Sequence, residues 1–376
     1  MKSGSITLLI GPAFAEKTTE LIRHINRYRV KNHKICLVIP ENSKEIKNNK
    51  YDFIQERIIV TNQITPIISN KLFQDSDVIA IDDLHLFVDC LEVLPIIANT
   101  FQKKIVCAGL DNNFNRECYE NVINLIPKCE EVKKLSAFCA IQCDGSPAIY
   151  TKKLDNNEFI AVSRRSFLER DKSGFLHIIT GPMFSGKTTE LIRIANKYVS
   201  IHKKIVAINY SKDTRYDPDG NIFSHDKQKF KKTLALDDLD DLIINHNDLI
   251  QESDVILIDE IQFFKNALKN IKLLVEEYNK IVIVSGLDGD YLQKPFGDIC
   301  KLIAFSDKLT RLTAVCSLSP DYRDAPFSRR IVKSEQTEFI GADDSYIAVS
   351  RYIYNLPHNS IIEKLVQKED PHESSI

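Results

Sequence analysis

The sequence predicts an α/β fold in which a parallel sheet flanked by helices is present twice. Three observations predict it. The two halves of the chain repeat the same blocks of sequence, each half alternates apolar runs with helical patterns, and the apolar runs lack polar alternation. Strands that are buried on both faces and separated by helices are typical of parallel sheets with right-handed crossovers. In such sheets ligands bind at the carboxyl ends of the strands.

The repeat consists of five blocks that occur twice in the same order. Residues 6–23 match 176–193, 76–87 match 253–264, 103–114 match 279–291, 133–139 match 310–316, and 160–164 match 347–351. This order predicts two homologous repeats, 1–168 and 172–355, joined by a charged linker near Glu169–Gly174. The segment between the last two blocks is shorter in the first repeat. Residues 356–376 show little periodicity, which predicts a flexible tail.

The elements are clearest in the second repeat. The apolar run Leu176–Thr180 predicts a first buried strand, and apolar residues with helical spacing from Leu191 to Val199 predict the helix that follows. Three further apolar runs predict the next strands, over 204–209, 254–259 and 280–287. The same succession is expected in the first repeat, beginning with Ile6–Ile10.

The composition is that of an ordinary globular protein. The chain has 376 residues, of which 43% are hydrophobic and 27% charged, and its formal net charge is -2. Disordered, collagenous and disulfide-scaffold classes are excluded by these values, and a near-neutral balance gives no bulk attraction to nucleic acid or membrane. We expect no secretory signal and no transmembrane helix, because no apolar stretch reaches about 18 residues. Nine cysteines without a CxxC pair predict reduced thiols and a cytoplasmic protein.

The turn after the first strand of the second repeat carries the pattern G-x-x-x-x-G-K-[ST]. It comprises Gly181, Pro182, Met183, Phe184, Ser185, Gly186, Lys187 and Thr188. In a loop of this kind the backbone N–H groups bind phosphates, the lysine reaches the β- and γ-phosphates, and the threonine hydroxyl ligates Mg2+. A chance match in a glycine-bearing turn is the alternative. The strand before the pattern and the helix after it favour the phosphate loop.

Acidic residues end a later strand of the same repeat. Asp259 follows an apolar run, where a carboxylate lies near the magnesium ion, and Glu260 could act as a general base toward a hydroxyl group. Taken alone, such acids could equally cap the next helix. Asp213 and Arg215 follow the second strand, where they form either an exposed ion pair or a charge contact to a transferring phosphate.

The first repeat has kept only part of these features. Lys17 and Thr18 remain, but Glu16 stands where the second repeat has its second loop glycine, and Asp83 stands in place of Glu260. A carboxylate beside phosphates is repelled by them, and a β-carbon crowds the loop. We expect weak or absent nucleotide binding here, with the loop retained as a strand-to-helix connection.

These motifs, in this order, resemble the thymidine kinases of the cellular and poxviral type. The segments that carry the resemblance are GPMFSGKTTELIR, KDTRYDPDG, His225–Asp226, LIDEIQFF, SGLDGDYLQKPFGDI and LTAVC. The resemblance covers nearly all of the second repeat and, more weakly, the first. It implies a RecA-like kinase core with a small lasso subdomain in each repeat. It also implies transfer of the γ-phosphoryl group of ATP, with Mg2+, to the 5′-hydroxyl of thymidine, with Glu260 as the proton acceptor.

The resemblance also implies a set of binding residues. On the ATP side these are the loop residues 181–188 with Asp213, Thr214, Arg215, Asp259 and Gln262, and Thr188 and Asp259 would hold Mg2+. On the nucleoside side they are Met183, Leu287, Tyr291, Phe296, Thr337, Glu338, Phe339, Ile340, Gly341 and Tyr346. The last six belong to the lasso, a segment that closes over the base. Without the resemblance, Tyr291 and Phe296 could be read as core aromatics.

The chain departs from the family at its zinc site. Members usually carry four cysteine ligands, whereas the second repeat keeps Cys316 and has Ser319, Ser350 and Ile353 at the other positions. One thiolate cannot form a tetrahedral structural site, so zinc is not expected. The first repeat has Cys139 and Cys143 at the wrong spacing, with Ser163 and Ser166 at the later positions.

The resulting hypothesis is an ATP-dependent thymidine kinase with one active site, in the second repeat, and a degenerate first repeat. Its partners would be thymidine and ATP, without nucleic acid or membrane, in a homo-oligomer or an internal pseudo-dimer. The alternatives are a kinase of broader pyrimidine deoxynucleoside choice, a catalytically dead nucleotide-binding interaction protein, and a general ATPase of the phosphate-loop class.

Overall fold

The structure is a computed structural model that describes residues 3–43, 51, 57–212, 233–319, 321–332 and 345–369. The chain divides into two compact units: unit 1 comprises Met1–Ser173 and Cys300–Leu309, and unit 2 comprises Gly174–Ile299 and Thr310–Ile376. Cys300–Leu309 therefore belongs to the second repeat by sequence and to unit 1 by packing. Within the described ranges, no helix combines the length and the apolar character that crossing a membrane requires.

The first repeat forms a six-stranded sheet in which every pairing is parallel. Its strands are β1 (Ser5–Gly11), β2 (Ile35–Ile39), β3 (Ile58–Val60), β4 (Val78–Ile81), β5 (Lys104–Leu110) and β6 (Glu131–Lys134), in the spatial order β3-β2-β4-β5-β1-β6. Strands β2 and β4 are buried along their whole length. Their apolar runs are therefore continuous rather than alternating.

Helices and short antiparallel pairs complete the first repeat. The helices are α1 (Lys17–Val30), α2 (Lys71–Gln74), α3 (Cys90–Asn99), α4 (Glu120–Ile123) and α5 (Arg164–Phe167), with 3-10 turns at Thr65–Ser69, Leu84–Leu86 and Ile126–Lys128. Strand β7 (Ala137–Phe138) pairs with β8 (Pro147–Ala148), and β9 (Tyr150–Lys153) pairs with β10 (Phe159–Val162). Leu21 and Ile25 of α1 lie one helical turn apart and pack on the sheet residues Leu9 and Leu37.

The second repeat has the same sheet topology. Its strands are β11 (Phe175–Thr180), β12 (Ile205–Tyr210), β13 (Thr233–Leu236), β14 (Val255–Ile258), β15 (Ile281–Gly286) and β16 (Lys308–Arg311), in the order β13-β12-β14-β15-β11-β16. The helices are α6 (Lys187–Ser200), α7 (Leu239–Asn245), α8 (Asn247–Glu252), α9 (Ala267–Glu276), α10 (Ile299–Phe305), α11 (Arg351–Tyr354) and α12 (His358–Glu369), with a 3-10 turn at Ile261–Phe263. Two six-stranded parallel sheets flanked by helices confirm the predicted fold class.

A small subdomain follows the second sheet. Strand β17 (Ala314–Val315) pairs with β18 (Asp324–Ala325), and β19 (Phe327–Arg330) pairs with β20 (Tyr346–Val349). Its core contains Cys316, Phe327, Val349 and Ile361. The lasso predicted between β19 and β20 lies outside the described residues for positions 333–344.

Within residues 356–376, predicted as a flexible tail, the structure describes helix α12 over His358–Glu369, and residues 370–376 lie outside the described residues. Ile361 is fully buried in the core of the small subdomain, and Leu365, one turn later, packs against the same core. Two apolar residues four positions apart are enough to fix one helical face on a partner, although they give a weak periodic signal in the sequence.

Candidate active site

The phosphate loop of the second repeat lies between β11 and α6. Gly186 is the N-cap of α6 and adopts a left-handed conformation with φ 79°. At Gly181, with φ 147°, a β-carbon would come within 2.4 Å of the Leu312 carbonyl oxygen. The backbone path therefore requires glycine at position 181, whereas at position 186 its left-handed conformation only favours glycine. The path places the N-terminus of α6 at the end of β11, which is an anion-binding arrangement.

Lys187 and Ser185 both reach back into this loop. The Lys187 ammonium donates a hydrogen bond to the Pro182 carbonyl at 2.7 Å, and the Ser185 hydroxyl donates to the same oxygen at 2.8 Å. These contacts shape the loop around its lysine. The lysine thus lies at the start of α6, where it can accompany the helix N-terminus in binding phosphate groups.

Asp259 joins the end of β14 to the phosphate loop. Its carboxylate accepts hydrogen bonds from the hydroxyls of Ser285 and Thr188 and from the Glu260 N–H at 3.0 Å. Burial, and then the neighbouring charge of Glu260, raise the pKa of Asp259 to about 6. The structure therefore brings together Thr188 and Asp259, the two residues predicted to hold Mg2+. Both offer the oxygen donors that this cation prefers.

Glu260 and Gln262 form a pair beside this carboxylate. Glu260 adopts a left-handed conformation with φ 53° at the start of the 3-10 turn. The Gln262 amide nitrogen donates to the Glu260 carboxylate at 2.5 Å, and the Gln262 amide oxygen accepts from the Leu287 N–H at 3.0 Å. Gln262 is buried and thus connects the predicted general base to the loop that follows β15.

The predicted nucleoside residues extend from that loop. The Phe296 ring makes an edge contact with Phe263, with ring centroids 5.4 Å apart. The Arg330 guanidinium lies 3.9 Å from the centre of the Tyr291 ring and donates to the Tyr346 hydroxyl at 2.6 Å. Arg330 therefore brings together two predicted nucleoside residues. A cavity of about 520 Å³ lies beside it, lined by Tyr291, Leu292, Arg329, Arg330, Val332, Tyr354, His358 and Asn359.

Several residues of this region were not predicted. Ser328 of β19 accepts a hydrogen bond from the Met183 N–H of the phosphate loop at 2.9 Å, as Thr151 of β9 does from the Ala13 N–H in the first repeat. The one sequence signal for Ser328 is that both repeats carry a hydroxyl residue at this position, Thr151 in the first and Ser328 in the second. Ser285 and Arg330 carried no comparable motif. Asp213, Thr214 and Arg215, and Thr337, Glu338, Phe339, Ile340 and Gly341, lie outside the described residues.

The first repeat retains the loop geometry but uses its polar groups internally. Glu16 is the N-cap of α1 with φ 54°, and its carboxylate accepts from the Thr19 hydroxyl. Asp82, the counterpart of Asp259, accepts from the hydroxyls of Thr18 and Tyr51. Burial raises the pKa of Asp82 and lowers the pKa of the Lys17 ammonium, which donates to the Pro12 carbonyl at 2.6 Å.

Serine hydroxyls surround the remaining cysteine at the family's zinc position. Burial raises the pKa of Cys316, but hydrogen bonds from Ser319 and Ser350 outweigh it and lower that pKa overall. The two serine hydroxyls lie 3.4 Å apart. Across the part of the chain that the structure describes, no group of three or more His, Cys, Asp or Glu side chains could hold a metal ion.

A phosphate loop at a helix N-terminus, with its threonine bonded to a strand-end aspartate, defines a nucleotide-binding protein of the phosphoryl-transfer class. The family model described as thymidine kinase matches residues 4–163 and 174–354. The chain therefore belongs to the thymidine kinase family. The family model matches two successive segments, which confirms the predicted tandem repeat.

Curated relatives of the chain carry the same name. Thymidine kinase 1 of Dictyostelium discoideum is 40% identical over 190 residues, which are 50% of this chain and 80% of the relative. The thymidine kinase of Sheeppox virus is 40% identical over 185 residues, 49% of this chain and 98% of the relative. That of Vaccinia virus is 40% identical over 181 residues, 48% of this chain and 97% of the relative. Each alignment thus spans about half of this chain.

Proposed function

We propose that the chain transfers the γ-phosphoryl group of ATP to the 5′-hydroxyl of thymidine, giving thymidine monophosphate, at one active site in the second repeat. Family membership and the names of the relatives support the substrate. The observation that carries the location is the hydrogen-bonded pair Thr188–Asp259 next to the Glu260–Gln262 contact. Nucleotide salvage in the cytoplasm is the role that fits this reaction.

The loop residues 181–188 would bind the phosphates of ATP. Backbone N–H groups at the start of α6 point at the triphosphate, and Lys187 leaves the Pro182 carbonyl to contact the β- and γ-phosphates. Thr188 and Asp259 would hold Mg2+, which would supply positive charge to offset that of the phosphates. Asp213, Thr214 and Arg215 belong to this side of the site by the family resemblance.

Glu260 would accept the proton of the 5′-hydroxyl. Its carboxylate is held by the Gln262 amide, and Gln262 also contacts the Leu287 N–H at the start of the nucleoside loop. The base and the loop are thereby fixed with respect to one another. A positioned general base of this kind contributes roughly 10²–10⁴-fold to a rate. The nucleobase of thymidine would be enclosed by Leu287, Tyr291, Phe296 and the lasso residues 337–341 and 346.

The way the first repeat uses its polar groups supports one site rather than two. The Glu16 carboxylate lies at the start of α1, where a bound phosphate would be repelled. Tyr51 is buried and donates to Asp82, the aspartate that would otherwise serve a magnesium ion. Asp83 is one methylene shorter than Glu260 and would withdraw the base from a substrate hydroxyl.

A nucleoside panel with ATP and Mg2+ tests the proposal. The wild-type chain should phosphorylate thymidine, while Lys187→Ala and Glu260→Gln should lower kcat by about 100-fold or more, because they remove phosphate binding and the base. Lys17→Ala, the matched change in the first repeat, should leave kcat and KM within about twofold of wild type. Turnover of each nucleoside is measured by the formation of its monophosphate.

Other outcomes of the panel identify the alternatives. Loss of activity in Lys17→Ala would overturn the one-site proposal. Deoxyuridine and deoxycytidine turning over as well as thymidine would indicate the broader kinase, a reading favoured by the serines at the former zinc positions. ATP hydrolysis without a nucleoside requirement would indicate a general ATPase, and binding without turnover a non-catalytic protein.

A further inference from the structure

Helix α10 packs in unit 1, although its sequence belongs to the second repeat. Its residues Leu302, Ile303, Ala304 and Phe305 are fully or almost fully buried. The tyrosine ring of Tyr150 lies 6.3 Å from the Phe305 ring, centre to centre, and the Arg116 guanidinium lies 5.5 Å from the same ring. This segment is therefore an integral part of the unit that the first repeat builds.

Three side chains of the first repeat bind the carbonyl groups at the end of α10. Lys134 donates to the carbonyl oxygens of Ile303 at 2.7 Å and Ala304 at 2.8 Å, and Asn112 donates to that of Ala304 at 3.0 Å. Arg164 donates to the carbonyl oxygen of Phe305 at 2.6 Å. The last carbonyls of a helix lack hydrogen-bond partners within the helix and carry partial negative charge. The two cations, Lys134 and Arg164, and the Asn112 amide supply the donors that these carbonyls need.

We call Asn112, Lys134 and Arg164 the carbonyl socket. Its two cations have their own carboxylate partners: Lys134 pairs with the buried Asp111 at 2.8 Å, and Arg164 pairs with the partly buried Asp307 at 2.8 Å. The side chains of Lys134 and Arg164 are 4% and 2% exposed. Charged groups are rarely buried to this extent unless they are fully paired, so the socket is a specific arrangement and not an incidental surface contact.

The position of α10 along the chain connects it to the proposed active site. The helix begins directly after the nucleoside loop, which contains Leu287, Tyr291 and Phe296. Within that loop, the Phe296 N–H donates to the Asp288 carbonyl at 3.3 Å, and a β-carbon at Gly297 would come within 2.5 Å of the Gln262 carbonyl oxygen. The loop thus approaches Gln262 closely and then continues into α10, whose far end the socket holds.

We propose that the carbonyl socket positions the nucleoside loop of the second repeat, so that the degenerate first repeat acts as a positioning partner within the same chain. Asn112, Lys134 and Arg164 touch no substrate group in this scheme. They act through α10, which fixes where the loop leaves Gln262. The expected change in KM rests on the proposed function. The expected effect on the position of the loop rests only on the contacts of α10.

The double variant Asp111→Asn with Lys134→Met tests the socket in the full-length protein. It removes both charges together, so that no buried carboxylate is left unpaired. We expect KM for thymidine to rise at least about fivefold and KM for ATP to stay within about twofold of wild type, because the predicted nucleoside residues lie on this loop and the phosphate-loop residues do not. Lys134→Arg should retain wild-type values, since Arg311 makes the equivalent pair with Asp288 in the second repeat.

The matched control is Lys152→Met, which removes the ion pair with the exposed Glu169 in the same repeat and should change neither KM. Arg164→Lys is the second variant: it keeps the cation but loses the planar fork, with which Arg164 binds the Tyr150 hydroxyl through one nitrogen and the Phe305 carbonyl and Asp307 through another. Wild-type KM values in both socket variants, or equal increases for the two substrates, would overturn the proposal.

Amide hydrogen exchange gives a readout that does not depend on turnover. In the socket variants we expect faster exchange across 287–305 than in wild type, with unchanged exchange in α6 as the internal control. If the wild type phosphorylated no nucleoside, the proposed function would be wrong. The exchange rates across 287–305 in the variants and the wild type would still test whether the socket positions the loop. Unchanged exchange across 287–305 in both variants would overturn the positioning role.

Discussion

At the scale of single residues, Asp259 illustrates a conflict between stability and function. Its carboxylate is almost fully buried, and burial with the charge of Glu260 raises its pKa from 3.8 to about 6. The folded protein therefore holds this proton more tightly than the unfolded chain does. The cost of ionising Asp259 is absent below about pH 4 and fully present above about pH 6, so this residue makes stability fall as pH rises through that window.

Replacing Asp259 by Asn should therefore stabilise the protein while abolishing activity. The amide keeps the side-chain volume and can bond the hydroxyls of Ser285 and Thr188, but it carries no charge to desolvate. We expect the free energy of unfolding to rise by about 1–3 kcal/mol at pH 8 and to change little at pH 4. Thermal unfolding at both pH values measures this. Destabilisation by Asp259→Asn at pH 8 would contradict the assigned cause.

The residues of the candidate site were predictable to different degrees. Lys187 and Thr188 could be predicted from the phosphate-loop pattern, and Asp259 could be predicted because it ends an apolar run and parallel strand ends meet at one edge of a sheet. Ser328 contacts Met183 across 145 positions of sequence. Such a contact depends on how β19 lies against the phosphate loop, which no local pattern encodes. Arg330 escaped prediction for the same reason, since its stacking on Tyr291 is a tertiary contact.

At the scale of elements, the loops of the two repeats share a backbone path but differ at the N-cap of the helix that follows. Glu16 and Gly186 occupy the same N-cap position and share a left-handed conformation, with φ of 54° and 79°. A β-carbon at Gly186 would meet nothing within 4 Å, whereas one at Gly181 would collide with the Leu312 carbonyl. The backbone thus tolerates a side chain at the second glycine, so under the proposed function we expect Glu16 to affect phosphate binding and not folding.

Gly186→Glu should therefore give a folded protein that does not bind ATP. The left-handed conformation costs a non-glycine residue about 1–2 kcal/mol, and the carboxylate would repel the triphosphate. Gly186→Ala is the matched control, with a similar stability loss and measurable ATP binding. Gly181→Ala should destabilise more strongly than either. Isothermal titration with ATP and thermal unfolding separate these effects, and ATP binding by Gly186→Glu would contradict the charge argument.

The elements themselves were largely predictable. The runs over 204–209, 254–259 and 280–287 correspond to β12, β14 and β15, because central parallel strands are apolar throughout. The outer strands β13 and β16 were not predicted. They are short, and β16 is only partly buried, so their sequences lack a continuous apolar run. Helix α12 escaped for a similar reason, because only Ile361 and Leu365 mark its packed face.

At the scale of the whole molecule, the described packing does not follow the sequence repeat. Residues 300–309 complete unit 1, so a cut near Glu169–Gly174 separates the repeats but divides a packed unit. Sequence comparison locates the duplication well, because the blocks keep their order. It cannot show which copy of an element packs with which unit, since both repeats carry the same helical pattern.

A fragment comprising residues 172–376 should consequently be less stable than the full chain. Leu302, Ile303 and Phe305 would lose their covering, and each buried side chain of this kind contributes roughly 1.5–3 kcal/mol. We expect self-association or aggregation, a lower unfolding midpoint, and partial recovery when residues 1–168 are added. Light scattering and thermal unfolding measure both. A monodisperse monomeric fragment with full activity would show that unit 1 is dispensable.

The carbonyl socket has a further consequence for how the protein responds to concentration. A partner held by a separate chain dissociates on dilution, and the population of assembled molecules then depends on the amount of protein present. Here the groups that hold α10 are joined to it by the same polypeptide, so their effective concentration is set by chain connectivity. If the socket positions the nucleoside loop as proposed, we expect this contribution to the specific activity to be independent of protein concentration.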